Sequence, residues 1–547
     1  MATVEGTEFD YIIVGAGSGG CVVAERLTED ADVTVLLLEA GETNRKREVQ
    51  IPAAFWKLFK TSRDWAYQTA PDPAADDRSL FWPRGKMLGG SSSMNCMIYM
   101  RGNRADYDGW AEFGNDGWSF DDVLPVFLAA EDNQRGASQY HGAGGPLHVS
   151  DLRYVNPLSE AFIEAGIEAG LPANPDFNGP SQEGVGKYQV TQWRGARWSA
   201  ADAYLRPARK RPNLTVRTQA QATRIVFEGA RAAGVEYVQG SRLVARARRE
   251  VVLCGGAINS PQLLMLSGVG PADHLREFGI PVLADLPGVG QNLHDHAGCT
   301  AVYACTRPVS LASAESPRNI ANYLLRRRGP LTSNGPEVGG FVRMRPNWSL
   351  SDLQFHFAPA YFVEHGFANP EGHGFTFLPT LLEPQSRGSI TLRSAEPLEP
   401  PIIQARCLEA SSDLEVLVDG LKLSRALAQT HAFDAFRGKE VLPGDDVRSD
   451  TDLAAYVRRS VETVYHPVGT CRMGTDTDAV VDPQLRVYGV TGLRVIDASA
   501  MPAITHGNTN APSMLIGEKG AAAIRGAGRA PARRSGTSSP LGPAGQE

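Results

Sequence analysis

The short apolar run Tyr11–Val14 stops at Gly15-Ala16-Gly17-Ser18-Gly19-Gly20, and no other segment restricts the possible folds of this chain so strongly. These residues fit GxGxxG, stand directly after a predicted strand and open a predicted helix over 22–29. A second apolar run, Val33–Leu38, ends in Glu39, 19 residues beyond Gly20. Strand, glycine turn, helix and strand in that order make a βαβ unit with buried parallel strands. In such a unit the first glycine permits the turn and the second lets backbone approach a pyrophosphate. The third lets helix and strand pack closely, while the helix N-terminus supplies N–H donors, and Ser18 and Gly19 within the turn are expected to bind the cofactor with Gly15, Gly17 and Gly20. Glu39 is an acceptor-only group suited to a ribose diol. The fingerprint alone fits NAD or FAD, and its place at the extreme N-terminus favours FAD.

Composition narrows the class further. With 54 basic and 61 acidic residues the chain carries a formal charge of −7, which lacks the basic footprint of a nucleic-acid binder. Hydrophobic residues at 42% and charged ones at 21% exclude a disordered chain. A length of 547 residues predicts three or four ordinary domains or two large ones. Seven scattered cysteines without a CxxC pair suggest neither a disulfide framework nor a zinc site, and so a reducing compartment. Met1–Asp10 holds Glu5, Glu8 and Asp10 and no apolar leader, and no apolar run approaches membrane-spanning length. The expectation is an unexported, cytoplasmic protein without a membrane span. Val251–Leu253 reads as another buried strand and Pro261–Ser267 as a helix. Alternating runs such as Leu353–Phe357 and Ser389–Arg393 predict half-exposed strands in the region 306–450. The stretch 525–547, rich in Gly, Pro, Ser, Ala and Arg, reads as a disordered tail.

Five ordered segments carry a resemblance. They are Gly85–Gly102, containing Gly89-Gly90-Ser91-Ser92-Ser93-Met94-Asn95-Cys96-Met97, then Gly256–Gly270, Pro287–His296, Tyr465–Gly474 and Gly507–Pro512. Together they resemble the glucose–methanol–choline (GMC) flavoprotein oxidoreductases, most closely the choline-oxidising type, from about Asp10 to about Ile524. The resemblance implies a tightly held FAD and a fold of mixed α/β class. A Rossmann-like FAD-binding domain would be assembled from 1–155, 195–305 and 455–524. A substrate domain with an antiparallel sheet covered by helices would comprise 156–194 and 306–454. Gly89, Gly90 and Ser91 would offer backbone donors to a phosphate or flavin edge, beside Asn95, Cys96 and Met97. Met94 falls where choline oxidase-like proteins attach FAD through a histidine, and a thioether cannot form that bond, so non-covalent FAD is expected. Ala222 would read the adenine through its backbone, and Asp497 and Ala498 would approach the flavin.

The resemblance also implies alcohol oxidation. Hydride must leave the carbinol carbon and a proton the hydroxyl, which requires a base within hydrogen-bond reach and a donor for the alkoxide. His466, following Tyr465 in the GMC active-site strip, is the expected base. Asn510, in Gly507-Asn508-Thr509-Asn510, is its expected partner, with His506 as a rival. His294 and His296, spaced i, i+2, read as structural rather than as metal ligands, since no third ligand stands near them. Cys96 and Cys471 read as packing residues. Glu337 aligns with a carboxylate that choline-oxidising relatives set against a trimethylammonium head. It could equally hold a salt bridge to one of Arg326–Arg328. Choline-like, aryl or furan hydroxymethyl, and amino-sugar alcohols all stay open as substrates, with O2 or a separate carrier as acceptor. The competing readings are a GMC-type lyase with structural FAD and a non-catalytic flavin-binding protein.

Overall fold

The structure is a computed structural model that describes residues 8–345, 348–368 and 370–527. The βαβ unit forms as the pattern requires: β1 (Glu8–Val14), α1 (Ser18–Leu27) and β2 (Val35–Leu38), with Tyr11–Val14 and all of β2 buried. β1 pairs in parallel with β2 on one side and with the end of strand Ser241–Leu253 on the other. Leu214–Arg217 extends the sheet beyond β2, and Leu493–Val495 lies parallel to Val251–Leu253. The 13-residue strand Ser241–Leu253 does two jobs. Its first half closes an antiparallel meander with Arg231–Gln239 and Gln221–Glu228, and its apolar end enters the parallel core. Gly20 shows why the fingerprint needs its last glycine: a Cβ there would stand 1.9 Å from the Gly15 carbonyl oxygen.

A second sheet of eight strands is antiparallel throughout, in the order Arg437–Leu442, Ala301–Cys305, Gly374–Leu381, Leu353–Ala358, Val338–Val342, Gly184–Lys187. The two-residue strands Ala297–Gly298 and Glu462–Thr463 pair at its edge. These two and Ala301–Cys305 belong to this sheet, although the sequence reading placed them with the cofactor part. Along Leu353–Ala358 the alternation is resolved by face. Phe355 and Phe357 pack on Phe162 of helix Pro157–Glu168, whereas Gln354 and His356 point the other way. The expected half-exposed strand is therefore buried on both sides, because its polar face looks into a cavity and not into solvent. All seven cysteines are unpaired. Helix Asn510–Ala527 takes in the first residues of the expected tail, and 528–547 lie outside the described residues.

Candidate active site

One cavity of about 1140 Å³ runs from the glycine turn of the parallel sheet to the polar face of the antiparallel one. Gly15, Gly17, Ser18 and Gly19 line one end with Glu39 and Ala222, and Tyr465, His466, His356 and Asn508 line the other. That volume exceeds the roughly 300–1,000 Å³ of ordinary ligand sites. α1 has no side-chain cap on Gly17, so its first amides remain for an anion. Glu39 Oε2 accepts from the Ala16 amide at 3.0 Å and Oε1 from the Gly41 amide at 2.8 Å, and burial pushes its carboxyl up to about 7. The residues present fit a dinucleotide cofactor on these grounds.

The loop Gly89–Ser93 contributes by contact and not by its first two amides. The Gly89 amide donates to the Ala16 carbonyl and the Gly90 amide to the Met87 carbonyl, each at 2.7 Å. Gly90, at φ +51°, lies so close to the dinucleotide turn that a Cβ would stand 2.8 Å from Gly17 Cα. Glycine is needed here for close approach. Ser91 Oγ takes hydrogen bonds from Arg84 and from the Gly85 amide. Asn95 Oδ1 accepts from the Met97 amide and from Arg197, which holds the turn that sets Cys96 and Met97 in the cavity wall. Burial pushes the Cys96 thiol up to about 12, consistent with a packing residue. Asp497 binds four donors, the Gly256 and Ser499 amides and the Ser260 and Ser499 hydroxyls. It thereby ties the start of helix Gly256–Leu266 to the segment that carries Ala498 into the cavity wall.

At the other end the edge pairing Ala297↔Thr463 brings His296 beside His466. The two Nδ1 atoms are 3.0 Å apart, and the His466 amide donates to Asp295 Oδ1 at 2.7 Å. Asn508 Nδ2 lies 3.2 Å from His466 Nε2 and 3.4 Å from His356 Nε2. Its Oδ1 faces the Gln354 amide nitrogen, so the amide is oriented with its N–H groups toward the histidines. His356 Nδ1 is held by Thr380 Oγ1 at 3.1 Å. This network assigns Nδ1–H and a bare Nε2 to both His356 and His466. Burial, then the neighbouring His296, His356 and Arg84, push His466 well below its ordinary value, and burial takes His356 down to about 4. Both are neutral acceptors at physiological pH.

Residues 9–298 and 384–517 match the two descriptions GMC oxidoreductase. The chain belongs to the GMC oxidoreductases. It is 46% identical over 526 residues to an alcohol dehydrogenase (acceptor) from Pseudomonas putida, covering 94% of this chain and 95% of that one. Mitochondrial choline dehydrogenase from Mus musculus is 45% identical over 541 residues, covering 96% and 91%. The crystal structure of pyridoxine 4-oxidase from Mesorbium loti superposes with a TM-score of 0.86 at 36% identity, covering 95% and 99%. The family is FAD-dependent.

In this GMC oxidoreductase three sequence expectations need correction. Asn510 does not reach His466: as first residue of helix Asn510–Ala527 it turns to α1, where its Oδ1 accepts from Ser18 Oγ at 2.8 Å. Asn508, two residues earlier and still in the loop, takes the place beside His466. Glu337 is fully buried, and its carboxylate accepts from the Asn156 amide and from the Ser159 and Ser333 hydroxyls at 2.6–2.7 Å. It neither lines the cavity nor pairs with an arginine among the described residues. His506 is bonded through Nδ1 to Asp106, which raises its pKa, and it lies outside the cavity wall. His294 donates to the Asn292 carbonyl and accepts from the Ile504 amide, which leaves no nitrogen for a metal. No metal-holding cluster occurs among the described residues. Sequence reasoning missed Asn508, His356 and the supporting Asp295, and it read His296 as structural without its contact to His466. The i, i+2 pair Gln354 and His356 in an apolar strand was the available signal for one of them.

Proposed function

We propose that the protein oxidises a primary alcohol to its aldehyde with non-covalently held FAD, and that the alcohol is uncharged with an apolar body. The observation that carries the reaction is the trio His466 Nε2, Asn508 Nδ2 and His356 Nε2, converging on the cavity that also contains the dinucleotide cradle. FAD, when bound, supplies the hydride acceptor. His466 Nε2 takes the hydroxyl proton, and burial keeps that nitrogen free of protons at neutral pH. The Asn508 N–H groups hold the developing alkoxide and cannot compete as a base. Asp295 fixes the His466 backbone from behind, and His296 accepts the Nδ1 proton's hydrogen bond.

The substrate reading rests on Glu337 and on the cavity wall. The carboxylate that would face a trimethylammonium group is enclosed by three donors, while Phe55, Trp56, Phe59 and Phe362 line the cavity. Non-covalent attachment is supported by Met94, buried in the wall, and by the lack of any histidine in 85–102. Unpaired cysteines favour a cytoplasmic setting. Anaerobic mixing with apolar primary alcohols, benzyl alcohol and choline tests the reading. Bleaching of flavin absorbance by the apolar alcohols and not by choline is expected. Reduction by choline alone would overturn the substrate class, and oxidised flavin with every alcohol would overturn the reaction. Admitting air then distinguishes O2 from a separate acceptor, and acid precipitation that left flavin on the protein would refute non-covalent binding.

A further inference from the structure

Helix Pro317–Arg326 presents its apolar residues to solvent instead of to the core. Tyr323 is its one buried residue, packed with Ala314 and Leu331. Ile320, Leu324 and Leu325 are 41%, 64% and 84% exposed. At about 100° per residue, Ile320, Leu324, Ala321 and Leu325 span an arc of about 140°, with Leu325 about 160° from Tyr323. The amphipathicity of this helix therefore faces outward, which is the reverse of a helix laid on its own core.

The surroundings state what would cover that arc. Arg318, Arg326, Arg327 and Arg328 border it and make no ion pair among the described residues, although the whole chain carries −7. Next to the helix end lies the tip of the hairpin Gln192–Arg197. A Cβ on its Gly195 would stand 2.6 Å from the Arg327 carbonyl oxygen, and Arg153 Nε donates to that same oxygen at 3.1 Å. This tip adds Trp193, 40% exposed, and Arg194. Glu315, two residues before the helix, is paired with Lys57. An outward apolar arc, an aromatic side chain at its margin and unpaired arginines around it match an anionic bilayer surface in both polarity and charge. The helix also sits at the mouth of the active-site cavity, since Leu311, Ala312, Ala314 and Glu315 before it and Leu331 after it line that cavity.

We propose that helix Pro317–Arg326, with the Trp193 hairpin tip, docks the protein on an anionic lipid surface and sets the cavity mouth against the bilayer. No described helix is long and apolar enough to cross a membrane, so the attachment is peripheral. This inference stands apart from the identity of the alcohol.

Flotation of the FAD-loaded protein with vesicles of phosphatidylcholine alone, and of an equimolar mixture with phosphatidylglycerol, tests it. Binding to the mixed vesicles and not to the neutral ones is expected, weakening as salt is raised. Leu324→Ser with Leu325→Ser removes exposed side chains only, and retained flavin absorbance and Tm verify the fold. Its partitioning falls about tenfold or more. Arg326→Gln with Arg328→Gln weakens binding to the anionic vesicles and flattens the salt dependence. Absence of wild-type binding, or binding unchanged in both variants, would overturn the proposal. A lipid-free dimer in sedimentation velocity that the two serine substitutions dissolve would also overturn it, by giving the arc to a second copy of the chain.

Discussion

At the residue scale the site turns on which of two asparagines meets His466, the proposed base. Asn508 reaches His466 because it precedes the helix, and Asn510 faces Ser18 because it begins the helix. Asn508→Ala is expected to lower kcat for alcohol oxidation by about 10²–10³, as loss of an alkoxide donor does. Asn510→Ala should leave kcat within a few-fold and weaken FAD retention, which fluorescence of released flavin measures. Equal loss of kcat in both variants would contradict this assignment. The pH profile is a second check. His466 is pushed well below 6.5, so its neutral, base-competent form is complete across neutral pH. The acid limb of kcat/KM should therefore fall well below pH 6.5, and a limb at or above that value would contradict the burial argument. His466 is legible in the sequence from its strip. The choice between Asn508 and Asn510 is not, because it depends on where a helix begins, and helix starts are set by tertiary contacts as much as by local residues.

At the element scale, long apolar runs were readable and two-residue strands were not. β1, α1 and β2 follow from periodicity and glycine placement, since their burial comes from the sequence pattern itself. The pairing of Ala297–Gly298 with Glu462–Thr463, which carries His296 to His466, joins segments more than 160 residues apart and has no local signal. Glu337 shows the same limit: an alignment can set a carboxylate at a position, but only the neighbouring Asn156, Ser159 and Ser333 reveal that it is turned inward. The contact of the two glycine loops makes a direct test. Gly90→Ala places a Cβ against backbone at Gly17 in a left-handed conformation, with no flexible side chain to yield. About 1–3 kcal/mol of destabilisation is expected, read as a lower Tm together with loss of bound flavin. Unchanged Tm and flavin content would show that the loops are not in close contact.

At the scale of the whole molecule, a buried ionic cluster ties the end of the signature loop to its neighbours. Arg101 bonds Glu131, and His141 lies between Glu131 Oε1 at 3.1 Å and Asp176 Oδ2 at 2.8 Å. The two carboxylates hold His141 up to about 9 against an ordinary 6.5, over the opposing effect of burial. A raised folded value means that this stabilisation is complete below about pH 6.5 and is lost as pH rises through about 9. His141→Gln should therefore lower Tm more at pH 6 than at pH 10, and an equal loss at both would contradict a charged His141. Across the molecule, the two sheets matter because they bring the dinucleotide cradle and the His466–Asn508 pair into the wall of one cavity. The most direct test of that arrangement is the anaerobic single-turnover reduction of bound flavin by a primary alcohol, wild type against His466→Ala. Rapid bleaching is expected in the wild type and a rate at least about 10²-fold lower in the variant, with the flavin content of the two proteins equal. Bleaching at the same rate in both, or none in the wild type with any alcohol, would contradict it.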